Sequence, residues 1–275
     1  DLSKCEKLEY LDCYYNSLTE LDLTANKNLI ELNCSSNKLT SLDLHACMKL
    51  RKLDFSGNLL TEVNMGSLPY ITSLTINTYH RALYTMKVTG ELLTSLTITN
   101  DDASSMFFLN GFDLDTPNLK SLTVNGYYHA VADFSAVPTV EALSLSSCYV
   151  CDVYLEKNKA LTSFKLYGGR YDRGLVDYNK YIKSLDFSEN TNLQSITISN
   201  VDLESIDFKK CKSLKSLSLS SAYVSPLDLS DLTSLETIVA YNNNLGSLDV
   251  SGCTSLSTIE CYGDKLTYIN MSGCT

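Results

Sequence analysis

Apolar residues return with a period of 21 residues along most of the chain. The segment 29–39, Leu-Ile-Glu-Leu-Asn-Cys-Ser-Ser-Asn-Lys-Leu, is followed 21 residues later by 50–60, Leu-Arg-Lys-Leu-Asp-Phe-Ser-Gly-Asn-Leu-Leu. Within a unit, apolar side chains occupy positions 2, 5 and 7, and then positions 12, 15 and 17. Alternation of this kind is typical of half-buried strands. Each unit is therefore predicted to contain two short extended segments.

A unit of this length is too short to bury its own apolar side chains and has to stack on its neighbours. The sequence predicts a single repeat array over 1–275, formed by an N-terminal half repeat and twelve units. Nine units have 21 residues, and those beginning at Tyr70, Leu92 and Ala160 have 22, 26 and 32. The chain starts inside a repeat without a polar cap, so we expect it to be a piece of a longer protein. The twelve units begin at Lys7, Asn28, Lys49, Tyr70, Leu92, Asn118, Thr139, Ala160, Asn192, Ser213, Ser234 and Ser255.

The repeat resembles a leucine-rich repeat. Residues 8–18 and 29–39 follow Leu-x-x-Leu-x-(Leu/Cys)-x-x-Asn-x-Leu, the pattern of that family's most regular segment. Residues 18–26 and 245–253 read Leu-Thr-x-Leu-Asp-Leu-Ser-x-Asn or close to it, which is similar to the short bacterial, internalin-like type. The same type carries cysteine at position 7, here Cys13, Cys34 and Cys261.

The resemblance implies a mainly β solenoid, a right-handed superhelix with a parallel concave sheet. Positions 5 to 7 would form its short strands, and the convex side would be extended or turn-like, with little helix. It also implies a non-enzymatic bacterial surface or secreted recognition protein that presents the solenoid for protein–protein interaction or adhesion. We therefore expect an extracellular or cell-surface location, with any anchor outside this sequence, and a protein partner such as a host surface protein.

Two polar positions are predicted to stabilise the turns. Asparagine at position 10 can hydrogen-bond to exposed backbone groups. Aspartate at position 16 can accept hydrogen bonds from the amides that follow it; calcium bridging between coils is the alternative. The asparagines are Asn16, Asn37, Asn58 and Asn243. The aspartates are Asp22, Asp43, Asp113, Asp133, Asp186, Asp207, Asp228 and Asp249, with Asp1 in the opening stub.

Charge and hydropathy exclude several partners. A formal charge of −10 and a pI near 4.8 argue against nucleic acid, which needs a dense basic face. No apolar run approaches the ~20 residues that cross a bilayer, so we expect no direct membrane insertion in this segment.

Eight of the ten cysteines fall at just two repeat positions, 7 and 20, which indicates packing more than a disulfide framework. A bridge between Cys253 and Cys274, one coil apart, stays open. Cys148 and Cys151 form a Cys-x-x-Cys outside the context of a redox or zinc motif. The three histidines lie in separate units without a nucleophile beside them. We therefore expect no catalytic residues, no metal and no cofactor, and no enzyme activity.

Tyrosine, histidine and arginine collect in the irregular central units, after the predicted concave strands, and suit protein contact or stacking on sugar rings. Insertions in solenoids frequently form the binding face. A ligand-binding rim is predicted there; the alternative is that these aromatics cover a widened core. Positions 4, 6 and 8 of other units are rich in serine and threonine. A carbohydrate-binding surface and a ligand-free structural spacer are the other two functions left open. The predicted rim consists of Tyr79, His80, Arg81, Tyr127, Tyr128, His129, Tyr167, Arg170, Tyr171 and Arg173.

Overall fold

The computed structural model describes residues 1–60, 62–64, 69–77, 85–99, 112–126, 131–148, 150–168 and 182–274. By its internal contacts the chain divides into two compact units, Asp1–Tyr128 and His129–Thr275. Each is a stack of short parallel strands, and the described residues contain no helix. The predicted parallel β-solenoid is therefore confirmed.

In the first unit, one strand from each coil joins a parallel main sheet. Its register steps by one repeat, so that Tyr10 pairs with Glu31 and Glu31 pairs with Lys52. The strands of this main sheet are β1 Tyr10–Asp12, β2 Glu31–Asn33, β3 Lys52–Asp54, β5 Ser73–Asn77, β7 Ser95–Thr99 and β9 Ser121–Asn125. A second parallel sheet is formed by β4 Glu62–Asn64, β6 Thr85–Thr89 and β8 Phe112–Asp115.

The second unit repeats this arrangement. Its main-sheet strands are β11 Ala142–Cys148, β13 Ser163–Gly168, β15 Ser195–Ser199, β17 Ser216–Ser220, β19 Thr237–Tyr241 and β21 Thr258–Tyr262. The strands on its other side are β10 Val131–Asp133, β12 Asp152–Tyr154, β14 Ser184–Asp186, β16 Ser205–Asp207, β18 Leu227–Asp228, β20 Ser247–Asp249 and β22 Tyr268–Asn270. They pair in parallel in sets of two or three.

The main-sheet strands differ in extent from the predicted positions 5 to 7. The first three cover positions 4 to 6, and most later ones cover positions 4 to 8. Threonine, which favours extended backbone, occurs among positions 4, 6 and 8 of several later units, and the strands there extend two residues further towards their C-terminal ends. The face that the sequence predicted to be concave is therefore wider in the later coils.

Leucine, isoleucine and valine at position 2 form a continuous buried row in each unit, from 0 to 1% exposed. Phenylalanines add bulk to the second unit: the ring of Phe187 lies edge-on to Phe164, with centroids 5.3 Å apart, and stacks on Phe208 at 6.3 Å. The position 2 row contains Leu29, Leu50, Ile71, Leu93, Leu119, Val140, Leu161, Leu193, Leu214 and Leu235.

The asparagines at position 10 cap the turns as predicted, and they also connect successive coils. Asn37 Nδ2 donates to the carbonyls of Cys34, in its own coil, and of Cys13, in the preceding one. Asn37 Oδ1 accepts from the Leu18 amide at 2.9 Å. One buried side chain therefore satisfies backbone groups of two coils.

Position 20 holds asparagine or cysteine in most described coils, and several of these side chains are buried hydrogen-bond donors. Asn158 Nδ2 donates to the carbonyls of Phe134 and Val137. The Cys253 thiol lies 3.2 Å from the carbonyl oxygen of Leu229, at the equivalent place. The predicted packing role is confirmed for Cys47, Cys211 and Cys253, which are fully buried, whereas Cys274 is half-buried; buried thiols also act as weak donors. Cys253 and Cys274 are both free thiols, and Cys5, at the same repeat position, is exposed.

Candidate functional site

The outward-facing side chains at positions 4, 6 and 8 of each main sheet form the accessible surface on which a ligand could lie. In the first three coils most of these positions carry charged or aromatic side chains, the others being Asn33, Ser35 and Ser56, whereas the next three coils carry only hydroxyl and amide groups. The set in the first three coils is here named the charged patch. Its members are Tyr10, Asp12, Tyr14, Glu31, Asn33, Lys52 and Asp54.

A shallow groove of about 350 Å³ runs over the charged patch, with Tyr10 at one end and Ser73 and Thr75 at the other. Lys52 Nζ forms an ion pair with Glu31 Oε1 at 3.0 Å across neighbouring strands. Exposed pairs of this kind contribute little to stability, so both groups can exchange this contact for one with a partner at low cost.

Asp12, Asn33 and Asp54 stand in register on adjacent strands. Each uses one side-chain oxygen to accept the amide two residues further on, at 3.2, 3.2 and 2.9 Å respectively. These bonds hold the three side chains upright along the sheet. The result is a row of oriented oxygen acceptors, about 4.8 Å apart from strand to strand.

Tyrosines lie in the first coil, on and just after β1. Tyr10 is 57% exposed, and its hydroxyl donates to Asp12 Oδ2 at 3.2 Å. This hydrogen bond to a carboxylate raises the pKa of the Tyr10 phenol and keeps it a donor. Tyr14 and Tyr15 are 59% and 82% exposed.

Tyr15 has a backbone φ of +56°, in the left-handed region that side chains with a Cβ rarely adopt. Position 9 has positive φ in most described coils, but serine, glycine or asparagine fills it elsewhere, as at Ser36, Gly57 and Asn242. An exposed bulky ring is therefore held where a small residue would be less strained.

The main-sheet faces also carry the predicted hydroxyl rows. In the first unit Thr75 pairs with Thr97, which pairs with Thr123. In the second unit Thr197 pairs with Ser218. These side chains are uncharged and lack the large rings that usually anchor an interface, so they form a hydrophilic surface beside the aromatic groups.

A smaller aromatic group lies on β19 and β21 of the second unit's main sheet. Tyr241 and Tyr262 are cross-strand neighbours whose ring centroids lie 6.1 Å apart, edge to face. The Tyr241 hydroxyl donates to Glu260 Oε2, which raises the pKa of Tyr241. Tyr262 is 72% exposed. Tyrosine beside a carboxylate at positions 6 and 8 thus repeats the composition of the charged patch.

Of the predicted rim, only Tyr167 belongs to the described part of the chain. It is half-buried near the end of β13, next to Ser199 on β15. The other nine residues lie outside the described residues: Tyr79, His80, Arg81, Tyr127, Tyr128, His129, Arg170, Tyr171 and Arg173.

The charged patch was not assigned from the sequence, although its tyrosines stand out there. The usable signal is the change at positions 4 and 6, from mostly charged residues in the first three units to serine and threonine in the next three. Because threonine also favours strands, the sequence alone explains that change equally well by β-propensity, and only the strand register shows that the charged side chains lie side by side.

Within the described ranges, no group of three or more histidine, cysteine, aspartate or glutamate side chains is arranged to hold a metal ion. The position 16 aspartates are instead bonded to their own turns, as with Asp249 Oδ1 and the Ser251 amide at 2.9 Å. Over the same described ranges, no helix has the length and apolar character to cross a membrane.

No protein-family model and no curated protein matches the chain. Solved structures that resemble it include internalins of Listeria monocytogenes, the group indicated by the repeat pattern. The functional domain of InlJ, which includes a cysteine ladder, is 24% identical over 90% of this chain, with a TM-score of 0.43. This chain spans 61% of that structure's length.

The internalin InlF is 19% identical over 96% of this chain and 87% of its own, with a TM-score of 0.49. TLR13, solved with ssRNA13, is 15% identical over 96% of this chain and 50% of its own, with a TM-score of 0.41. These likenesses concern the repeat architecture only.

Proposed function

We propose that this chain is a non-enzymatic recognition protein of the bacterial surface or secreted fraction, which binds a protein partner through its main-sheet face. The observation that carries the proposal is the charged patch, where a groove lined by Tyr10, Glu31 and Asp54 lies in the same coils as the exposed rings of Tyr14 and Tyr15. Tyrosine is among the residues that dominate binding energy at protein interfaces. A partner bearing lysine or arginine would complement the acceptors of Asp12 and Asp54.

The backbone of Tyr15 supports the same proposal. A non-glycine residue at positive φ costs of order 1–3 kcal/mol, and such strain collects at ligand-binding positions. Since Tyr15 is 82% exposed, its ring gains little from packing inside this chain. A partner that buries the ring would compensate for the strain.

The central rim predicted from the sequence is a second part of this proposal. Tyr167 already lies at position 8 of its coil, in the repeat register of Tyr14, Tyr241 and Tyr262. The remaining nine rim residues belong to the central units, and their composition of tyrosine with arginine suits a protein interface. The partner, on this view, contacts several coils of the array.

The test is capture of partners from host-surface extract by the purified chain, followed by affinity measurement with the captured protein. We expect Tyr14→Ala/Tyr15→Ala to weaken binding more than tenfold. Tyr154→Ala/Tyr268→Ala removes two exposed rings from the other side of the coils, as a matched control. Tyr127→Ala/Tyr128→Ala/Tyr171→Ala tests the rim separately.

Four results would distinguish the functions. Loss in the Tyr14/Tyr15 variant with an unchanged control supports the patch, and loss in the rim variant supports the rim. Capture that disappears when the extract is stripped of glycans would replace the protein partner by a carbohydrate. No specific capture in any arm would favour a structural spacer.

A further inference from the structure

A second pocket, away from the charged patch, lies on the edge of the first unit where the coils enter the main sheet. It has a volume of about 240 Å³ and is lined by Ile30, Lys49, Arg51 and Tyr70. Lys49 and Tyr70 occupy position 1 of successive coils, and Ile30 and Arg51 occupy position 3. The stacking of coils thus brings two cations, an aromatic ring and an aliphatic side chain together.

The cations of this pocket are not neutralised locally. Lys49 Nζ donates to the amide oxygen of Asn28 at 2.7 Å, and Asn28 Nδ2 in turn donates to the Glu6 carbonyl at 2.9 Å. This chain of bonds orients the ammonium without removing its charge. Among the described residues, the Arg51 guanidinium has no carboxylate partner, and no acidic side chain lines the pocket. Two uncompensated positive charges are unusual on a chain of net charge −10.

The position of Arg51 is set by its backbone. Its amide donates to the carbonyl of Ile30 at 2.8 Å, so the guanidinium starts from a fixed point on the sheet edge. Arginine presents paired N–H groups that match the two oxygens of a carboxylate or sulfate. Lys49 can supply a third donor to the same anion.

The neighbouring coils contribute the remaining side chains of the pocket. Ile30, one coil before the cations, is half-buried, and Tyr70, one coil after them, is 49% exposed. A tyrosine ring offers a flat surface with a polar tip, suited to a molecule with one apolar face and one polar edge. A pyranose ring that carries an acidic group has this character. The volume is below the ~300–1,000 Å³ of drug-sized pockets, which restricts the occupant to about one sugar unit.

We propose that this pocket binds an acidic sugar residue of a polysaccharide, with Arg51 and Lys49 on its carboxylate or sulfate group and Tyr70 against its ring. The site is separate from the charged patch and does not depend on the protein-binding proposal. It would let the array hold an acidic glycan on its edge while the main-sheet face remains open.

The test is calorimetric titration of the intact chain at low salt with four probes. These are a hyaluronan tetrasaccharide, which carries carboxylates only; a chondroitin sulfate tetrasaccharide; neutral chitotetraose; and sodium sulfate. We expect at least one acidic tetrasaccharide to bind, with affinity that falls as salt rises. Chitotetraose and sodium sulfate should bind at least tenfold more weakly, because each lacks either the anion or the ring.

Variants identify the residues. Arg51→Gln should weaken acidic-saccharide binding by about tenfold or more, because hydrogen bonds to a charged group are lost. Arg51→Lys keeps the charge but not the paired donors, so it should recover only part of that affinity. Tyr70→Ala should weaken binding, whereas Tyr154→Ala should not. The double variant Lys49→Gln/Arg51→Gln removes both positive charges of the pocket. Its control, Lys209→Gln/Lys210→Gln, removes the same number of positive charges from the other unit.

The proposal is overturned by any of three results. The first is that neither acidic tetrasaccharide binds. The second is that sodium sulfate alone binds as tightly as the saccharides, which would indicate a simple anion site. The third is that the Lys209/Lys210 control loses as much affinity as the Lys49/Arg51 variant, which would indicate a non-specific charge effect. Circular dichroism of each variant would confirm that the β-sheet signal is unchanged.

Discussion

At the residue scale, the position 10 row shows that one side-chain atom, nitrogen or oxygen, decides whether every buried polar group of a coil has a hydrogen-bond partner. Asn243 donates through Nδ2 to the Leu219 carbonyl and accepts through Oδ1 from the Ala222 amide. Asp264 occupies the next step of the row, and its Oδ1 accepts the amides of Asn243 and Leu245. Its other oxygen, Oδ2, is buried without a hydrogen-bond partner. An amide nitrogen is required at that place, and a carboxylate provides only acceptors.

Asp264→Asn is therefore expected to stabilise the last coil by about 1 kcal/mol, the scale of a buried polar group regaining a partner. The measurement is amide hydrogen exchange of β19 and β21, together with urea unfolding. The reverse exchange, Asn243→Asp, should destabilise the fold because it places an acceptor where the Leu219 carbonyl needs a donor. Equal stability of the Asp264 variant and the parent would contradict this account of the row.

The buried thiols lead to a second prediction at the residue scale. Burial raises the pKa of Cys34 to about 12 and those of Cys47 and Cys211 to about 11. A raised pKa keeps the neutral thiol, and thiol reagents attack the thiolate. These three cysteines should stay unlabelled by iodoacetamide at pH 8 in the native protein and react after denaturation, as followed by mass spectrometry. Cys5 is exposed and serves as the internal control; labelling of Cys34 at the rate of Cys5 would contradict the buried row.

At the scale of elements, strand and turn depend on each other through position 16. Asp228 and Asp249 end short strands and accept hydrogen bonds from the turns that follow, with Ser230 and Ser251 as donors. The turn-bonding role predicted for this aspartate is thereby confirmed. Hydrogen bonds from the serine side chain and then its amide lower the pKa of each aspartate. The ionised form is therefore the one that stabilises the turn.

The lowered pKa values of these aspartates determine how the stability of the fold changes with pH. A lowered folded-state pKa stabilises the fold fully above the unfolded value, about 3.9 for aspartate, and this contribution is lost as the pH falls through the folded pKa. Unfolding by urea should therefore become easier from about pH 5 towards pH 3. Asp228→Asn/Asp249→Asn keeps an acceptor oxygen without the titration, so its loss of stability over this range should be smaller. An equal loss in both proteins would rule out these aspartates as a source.

At the scale of the whole molecule, each coil contacts only its neighbours, so damage should stay local within a unit. Leu217 is fully buried on β17, between β15 and β19. Leu217→Ala should cost about 2–5 kcal/mol and should increase amide exchange first in these three strands. Ser218→Ala, on the outward face of the same strand, should change stability by less than about 0.5 kcal/mol. Uniform loss of protection over the second unit would instead show a single cooperative block.

Much of this architecture follows from the 21-residue period, because each repeat position keeps one environment in successive coils. The parallel register, the buried position 2 row, the asparagine caps and the aspartate turns were all predicted in this way. The strand limits were not, since pairing extends or stops according to side chains on neighbouring strands. The predicted rim was placed from composition, and nine of its ten residues lie outside the described part of the chain.

The sequence by itself determined the solenoid and its core, since apolar and turn-forming residues that recur at the same repeat positions are buried together when successive units stack in register. Only the tertiary structure decided which single residues depart from their row. The partnerless oxygen of Asp264, the strained backbone of Tyr15 and the meeting of Lys49, Arg51 and Tyr70 each depend on what the adjacent coil places opposite. Contacts between coils join residues about 21 apart in the chain, and their chemistry appears only when the register is known.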